Sequence, residues 1–252
     1  MREFLYKIYG GMQGIVAPRL KYSHYLYEDA LRDHITPQTK WLDLGCGHQI
    51  LPPWREEQER QVVNRCRLTI GVDPDLQSLR RHRTISLRVA ARADELPLKS
   101  CSLDLVTTNM VVEHFDNPEL QFGEVSRVLR PGGVFLLHTP NKWAYNTLAS
   151  MLIPRFIKTR LIYLLEGRKE QDAYPTFYRS NTRKKIRTLA LKCGFRVKKL
   201  RMVVSSAELA MVPPLAFFEL LWIRLLMTKP FAPLRTNIIA TLQREEAVRK
   251  TG

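Results

Sequence analysis

Trp41-Leu42-Asp43-Leu44 is a short apolar run interrupted by one acid, and Gly45-Cys46-Gly47 follows it directly. Apolar residues of this kind form a buried strand, and two glycines one residue apart make a turn that only small residues allow. A glycine-rich turn after a strand is where α/β proteins bring backbone N–H groups against a nucleotide. The dinucleotide fingerprint needs a third glycine for close helix–strand packing, but Ile50 stands in that place, and no Gly-Lys-Ser/Thr phosphate loop occurs. Two glycines suffice for a ligand without phosphates that carries a nucleoside and an amino-acid tail. Asp73 ends a second apolar run, Leu68–Val72. A carboxylate at a strand's C-terminal end accepts both hydroxyls of a ribose, or caps the following helix.

The elements that must position these groups alternate. Strands are predicted at 40–44, 68–72, 85–89, 104–109 and 134–138, with helices at 53–66 and 118–130 between them. The second of these helices carries Leu120, Phe122, Val125, Val128 and Leu129, and Pro131-Gly132-Gly133 stops it. Further strands are predicted at 195–201 and 234–242, with a basic helix over 182–193 capped by Ser180 or Asn181. The rhythm predicts a mostly parallel seven-stranded α/β sheet with helices on both faces. The chain of 252 residues reads as one domain: an N-terminal helical cap (1–36), a core (37–141), and insertions at 142–177 and 205–233.

The order of several further motifs makes a family resemblance specific. "LDLGCG" (42–47), "GVDPD" (71–75), "ADELPLKSCSLDLV" (93–106), "NMVVEHFDNPE" (109–119), "EVSRVLRPGGVFLLHTPN" (124–141) and "YRSNTRKKIRTLALKCGF" (178–195) together resemble the class I S-adenosylmethionine-dependent methyltransferases of the domain 11 type. That group includes the ubiquinone and menaquinone methyltransferases. The resemblance implies a Rossmann-like fold and S-adenosyl-L-methionine as methyl donor. It implies that Asp43 and the Gly45-Cys46-Gly47 turn hold the methionine end, that Asp73 holds the ribose, and that Asn109 lends its backbone carbonyl to the ammonium. The family commonly reads adenine with an Asp where this chain has Arg92, which leaves Asp94 or the Ala93 backbone N–H for that task.

Methyl transfer is an in-line displacement that needs alignment first, and a base only where the acceptor carries a proton. His114 and His138 are the candidate bases, each with a structural alternative as a hydrogen-bonded turn or strand-end residue. Glu113 either holds the donor's ammonium or pairs with an Arg. Tyr22, Tyr25 and Tyr27 either close over the donor as a cation–π contact or fill a core. Four cysteines without C-x-x-C spacing suggest neither a zinc site nor a redox pair, so no metal is expected.

The net charge of +16 attracts an anionic partner. Residues 179–201 hold ten Lys/Arg and no acid. The apolar insertions suit a small-molecule or lipid-like acceptor, and basic residues beside apolar tracts suit peripheral contact with an anionic membrane. RNA is the alternative acceptor, although the chain lacks an Asn/Asp-Pro-Pro-Tyr/Phe motif. A non-catalytic interaction module is the third reading. The N-terminus has no continuous apolar stretch, and Pro213, Pro214, Glu219 and Arg224 interrupt the 209–228 tract. A cytoplasmic protein is therefore expected.

Overall fold

Lys40–Leu44 (β1) is buried from Trp41 onward and lies between two parallel neighbours. This is why its side chains are apolar on both faces. The computed structural model describes residues 2–152 and 174–246. Of the apolar insertion residues, Ile153, Phe156 and Ile157 lie outside them, as do Pro154 and Gly167.

The described chain divides into two units. One comprises residues 26–139, 177–201 and 238 onward; the other comprises residues up to 25, 140–176 and 202–237. The expected 1–36 cap is thus divided between them.

The first unit holds the sheet. After β1 come Glu56–Arg65 (α3), Leu68–Asp73 (β2), Leu76–Arg81 (α4), Leu87–Ala90 (β3), Leu103–Asn109 (β4), Pro118–Val128 (α5) and Leu129–Pro140 (β5). Arg183–Lys192 (α7), Phe195–Val203 (β6) and Asn237–Arg244 (β7) follow. The seven strands run in the order β3-β2-β1-β4-β5-β7-β6, with β3, β2, β1, β4 and β5 parallel. The Glu245 N–H, just past the end of β7, donates to the Gly194 carbonyl just before β6, so those two strands run in opposite directions. The result is the mostly parallel, Rossmann-like sheet with helices that the alternation predicted.

Several boundaries differ from the sequence reading. Pro52-Pro53 opens a single 3-10 turn, Pro53–Arg55, and α3 begins only at Glu56. Pro131-Gly132-Gly133 does not separate α5 from the next strand, because β5 already begins at Leu129. The register steps from Leu103↔Leu129 to Leu105↔Val134, so a bulge absorbs the Pro-Gly-Gly segment inside the strand. Leu120 is 55% exposed while Phe122, Val125 and Val128 are buried, since Leu120 falls on the opposite side of the helix. The cap of α7 is Thr182, whose hydroxyl accepts from the Lys185 N–H; Ser180 and Asn181 are fully buried instead. Asp75, not Asp73, caps α4, accepting from the N–H groups of Gln77 and Ser78.

Phe122 packs edge-on to Phe135 at 5.3 Å between ring centroids, with Phe115 and Phe195 on either side. Edge-to-face pairs of this kind are worth about 0.5–1.5 kcal/mol each beyond their burial. Across the lower ends of the central strands, Asp104 accepts from the Lys40 N–H and pairs with Arg130, both at 2.7 Å.

The second unit contains Arg2–Val16 (α1), the start of Ser23–Arg32 (α2), Tyr145–Leu152 (α6) and Pro213–Leu226 (α8). Tyr9 and Val16 of α1 share a core with Ala216, Leu220, Ile223 and Leu226 of α8. Glu219 is buried in it. Its carboxylate accepts from Tyr145 Oη and from the N–H groups of Glu208 and Leu209, which makes an acid tolerable there. No helix among the described residues is long and apolar enough to cross a membrane.

Candidate active site

The strand order reverses at β1, which lies between β2 and β4, and the turn after β1 sits at that switch point. Open α/β sheets bind ligands there, beyond the carboxyl ends of the strands. The N–H groups of Gly45 and Cys46 both donate to the Val72 carbonyl, at 2.7 and 3.1 Å, which fastens the turn to the end of β2. Gly45 has φ +75° and Gly47 has φ +52°, both left-handed. A Cβ on Gly45 would stand 2.4 Å from Val111 Cγ2. The turn therefore needs glycine at Gly45 for its backbone and for its space.

Asp73 completes the turn. Its Oδ2 accepts from the Gly47 N–H at 2.9 Å and its Oδ1 from the Asp75 N–H at 2.8 Å. The carboxylate is buried, and that burial raises its pKa above the ordinary range. Of a carboxylate's roughly four lone-pair sites, these two bonds leave about two.

Asp43 lies on β1 just before the turn. A relay holds it: Trp41 Nε1–H donates to Thr107 Oγ1 at 2.7 Å, and that hydroxyl donates to Asp43 Oδ1 at 2.5 Å. Burial pushes the Asp43 carboxyl up to about 7; the Thr107 hydroxyl opposes this, and the acids Glu59 and Asp73 add to it. Cys46 is buried, and burial pushes its thiol up as well, which makes it a packing residue rather than a nucleophile.

The loop after the turn is pinned from two sides. Glu59, buried on α3, accepts from the N–H groups of Ile50 and Leu51 at 2.9 and 2.8 Å and from the Thr84 hydroxyl. From β4, Asn109 Nδ2 donates to the Ile50 carbonyl at 3.1 Å, while Asn109 Oδ1 faces His138 Nδ1 at 2.8 Å. With the amide oriented this way, His138 Nδ1 is the protonated nitrogen. The His138 ring stacks on Tyr27, with 5.5 Å between centroids. Tyr27 itself is fully buried, so it belongs to the core.

His114 lies half-buried in a 3-10 turn, Val112–His114. Glu113 in the same turn is buried, and its Oε2 accepts from Thr139 Oγ1 at 3.0 Å; Asn181 Nδ2 donates to that same hydroxyl. Burial pushes the Glu113 carboxyl up to about 7. Among the described residues, Glu113 pairs with no Arg.

Arg92 clamps Asp94 through two hydrogen bonds, at 2.9 and 2.7 Å, and also approaches Asp116 at 3.7 Å. The Asp94 carboxylate is thus engaged by its neighbour two positions before it. Ala93, between them, is half-buried.

Hydrogen bonds therefore tie Gly45, Cys46, Gly47 and Asp73 into one turn at the end of β2, and join Asn109 and His138 to its following loop; Asp43, on the strand just before the turn, is held separately by Thr107. Sequence reasoning missed Glu59, Thr107 and Trp41. Trp41 and Thr107 read as ordinary strand residues, and nothing in the run Glu56-Glu57-Gln58-Glu59 marks which acid turns inward.

Residues 42–137 match the family described as the methyltransferase domain. That match covers well under half of the chain's 252 residues. The chain is 38% identical over 108 residues to a protein of Mycolicibacterium smegmatis named a probable S-adenosylmethionine-dependent methyltransferase, covering 42% of this chain and 39% of that protein. It is 31% identical over 102 residues to a malonyl-[acyl-carrier protein] O-methyltransferase of Hahella chejuensis, covering 39% and 35%. The chain thus spans well under half the length of these curated relatives. Over nearly its whole length it shares its fold with a methyltransferase of Haloferax volcanii solved in complex with the Trm112 methyltransferase activator. The TM-score is 0.59 at 14% identity, covering 94% of each chain. At that identity the likeness concerns the fold alone.

Proposed function

We propose that the chain transfers a methyl group from S-adenosylmethionine to a small-molecule or lipid-like acceptor. The observation that carries this reading is the left-handed Gly45–Gly47 turn at the sheet's switch point, closed by Asp73. Its residue types fit a nucleoside with an amino-acid tail. Asp73 keeps lone pairs for the ribose hydroxyls, Asp43 holds the ammonium directly or through a water, and the Asn109 backbone carbonyl joins it there. With Asp94 engaged by Arg92, the Ala93 N–H is left to read the adenine edge. When bound, the donor supplies a methyl group activated by a sulfonium.

The chain's own work is alignment and exclusion of water, and such positioning supplies several kcal/mol without any catalytic group. Where the acceptor carries a proton, His138 or His114 takes it. With Nδ1–H held by Asn109, the His138 lone pair lies on Nε2. Residues outside 42–137 select the acceptor, and the apolar tracts 142–177 and 205–233 favour a greasy one. An RNA acceptor is the second reading, favoured by the exposed Lys and Arg residues of α7 and β6. Small-molecule and lipid extracts of cells with and without the protein, compared by mass spectrometry, test the acceptor class. A species that gains one CH2 only when the protein is present supports the first reading. Methylated RNA without such a species overturns it.

The buried carboxyls give a pH dependence. Asp43 and Glu113 titrate near 7 in the folded chain, well above an unfolded carboxyl. Their neutral forms are therefore favoured by folding, and the donor-free protein loses stability as pH rises through about 7. A bound ammonium reverses this at Asp43 by stabilising the carboxylate. Donor binding should then release a proton below that pH and tighten by up to about tenfold per unit as pH rises from about 5 to 7. Calorimetry in buffers of different ionisation heat measures the proton directly. A flat affinity with no proton release removes Asp43 from the ammonium site.

A further inference from the structure

Helix α8, Pro213–Leu226, is apolar nearly all the way round. One side, with Ala216, Leu220, Ile223 and Leu226, fills the core of its own unit. On the other side Phe217, Phe218, Leu221 and Leu225 are exposed to solvent by 41, 67, 43 and 38%. At helical spacing these four occupy one continuous stripe about 100° wide. Isolated exposed apolar residues are ordinary, but a stripe of four with two adjacent phenylalanines is not.

Charge distinguishes what the stripe meets. The helix's one acid, Glu219, is turned into the core and held there by Tyr145 and two N–H groups. Its one base, Arg224, is exposed beside the stripe, and Lys229 is exposed just beyond the last turn. The outer surface of the helix thus shows apolar and basic groups and no acid. A second copy of a chain carrying +16 would be repelled, whereas an anionic bilayer attracts it. A helix of 14 residues is shorter than the roughly 20 needed to span a bilayer, so it would lie in the plane of the interface.

We infer that the Phe217–Phe218–Leu221–Leu225 face of α8 is a membrane-docking surface for anionic lipid, with Arg224 and Lys229 at its rim.

Co-sedimentation of the full chain with vesicles of phosphatidylcholine alone, or mixed with phosphatidylglycerol, tests it. Strong binding to the anionic vesicles is expected at low salt. It should weaken but persist as the Debye length falls from about 10 Å at 0.1 M to about 3 Å at 1 M, because the apolar contact is not screened. Phe218→Asp with Leu221→Asp should abolish the salt-resistant part while leaving thermal unfolding unchanged. Lys229→Gln, exposed just beyond the helix, should weaken low-salt binding by about fivefold; Arg224 also donates to the Val16 carbonyl, so Arg224→Gln is read together with its thermal unfolding. Three results would overturn the assignment: no binding to anionic vesicles at low salt, binding that the aspartate pair leaves intact, or a concentration-dependent dimer that the aspartate pair dissolves. Binding to RNA with no binding to vesicles would overturn it as well.

Discussion

Gly45→Val should eliminate measurable S-adenosylmethionine binding and lower the stability of the fold. Two costs coincide at this position. The backbone has φ +75°, where a β-branched residue is strained, and the new Cβ alone would stand 2.4 and 2.8 Å from the two methyls of Val111. Left-handed backbone strain and overpacking together cost roughly 2–5 kcal/mol. Neighbouring positions separate the terms. A Cβ on Gly47 meets nothing within 4 Å, so Gly47→Ala carries only the φ cost, and a large loss of donor affinity there would reflect the ligand's own approach. Val111→Ala combined with Gly45→Ala should recover the steric part of the stability loss. Thermal unfolding and calorimetric titration of the variants measure both effects. A stable Gly45→Val protein that binds the donor normally would show that the turn is not the donor site.

Asp73→Ala should weaken donor binding by about ten- to a hundredfold, since loss of a charged hydrogen-bond partner costs about 1.5–3 kcal/mol. If Asp73 only faced ligand from the end of its strand, its removal would leave the fold indifferent. Its burial and its bonds to the Gly47 and Asp75 N–H groups change that expectation. Truncation strands two backbone donors, so a stability loss of about 1–3 kcal/mol should accompany the loss of affinity. Asp73→Asn retains one acceptor oxygen and should lose less of both. Unchanged donor affinity in folded Asp73→Ala would reject the ribose role.

The sheet and its turn were legible because each rests on local chemistry. Buried parallel strands must be apolar on both faces, so β1, β2 and β4 announce themselves, and glycines with positive φ have few substitutes. The features that eluded the sequence depend on partners distant in the chain. The Trp41–Thr107–Asp43 relay joins residues more than 60 positions apart, and Glu59 is distinguished from its neighbouring acids only by the direction it faces. Pro131-Gly132-Gly133 signals a break in most contexts, yet pairing with β4 on both sides carried the strand through it as a bulge. Ser180 and Asn181 are good caps locally, but burial against Val112 and Thr139 claimed them, and Thr182 took the cap. The clamp of Arg92 on Asp94 is a two-residue relation open to the sequence in principle. Nothing there says that the guanidinium would turn back on its neighbour.

Direct calorimetric titration of the purified chain with S-adenosylmethionine, with NAD as comparison, tests the central claim. The Gly45–Gly47 turn and its Asp73 clamp predict saturable one-to-one binding of S-adenosylmethionine that Gly45→Val abolishes, and no binding of the dinucleotide, whose third glycine position is Ile50. A folded protein that takes up no S-adenosylmethionine at high micromolar concentration would contradict the account.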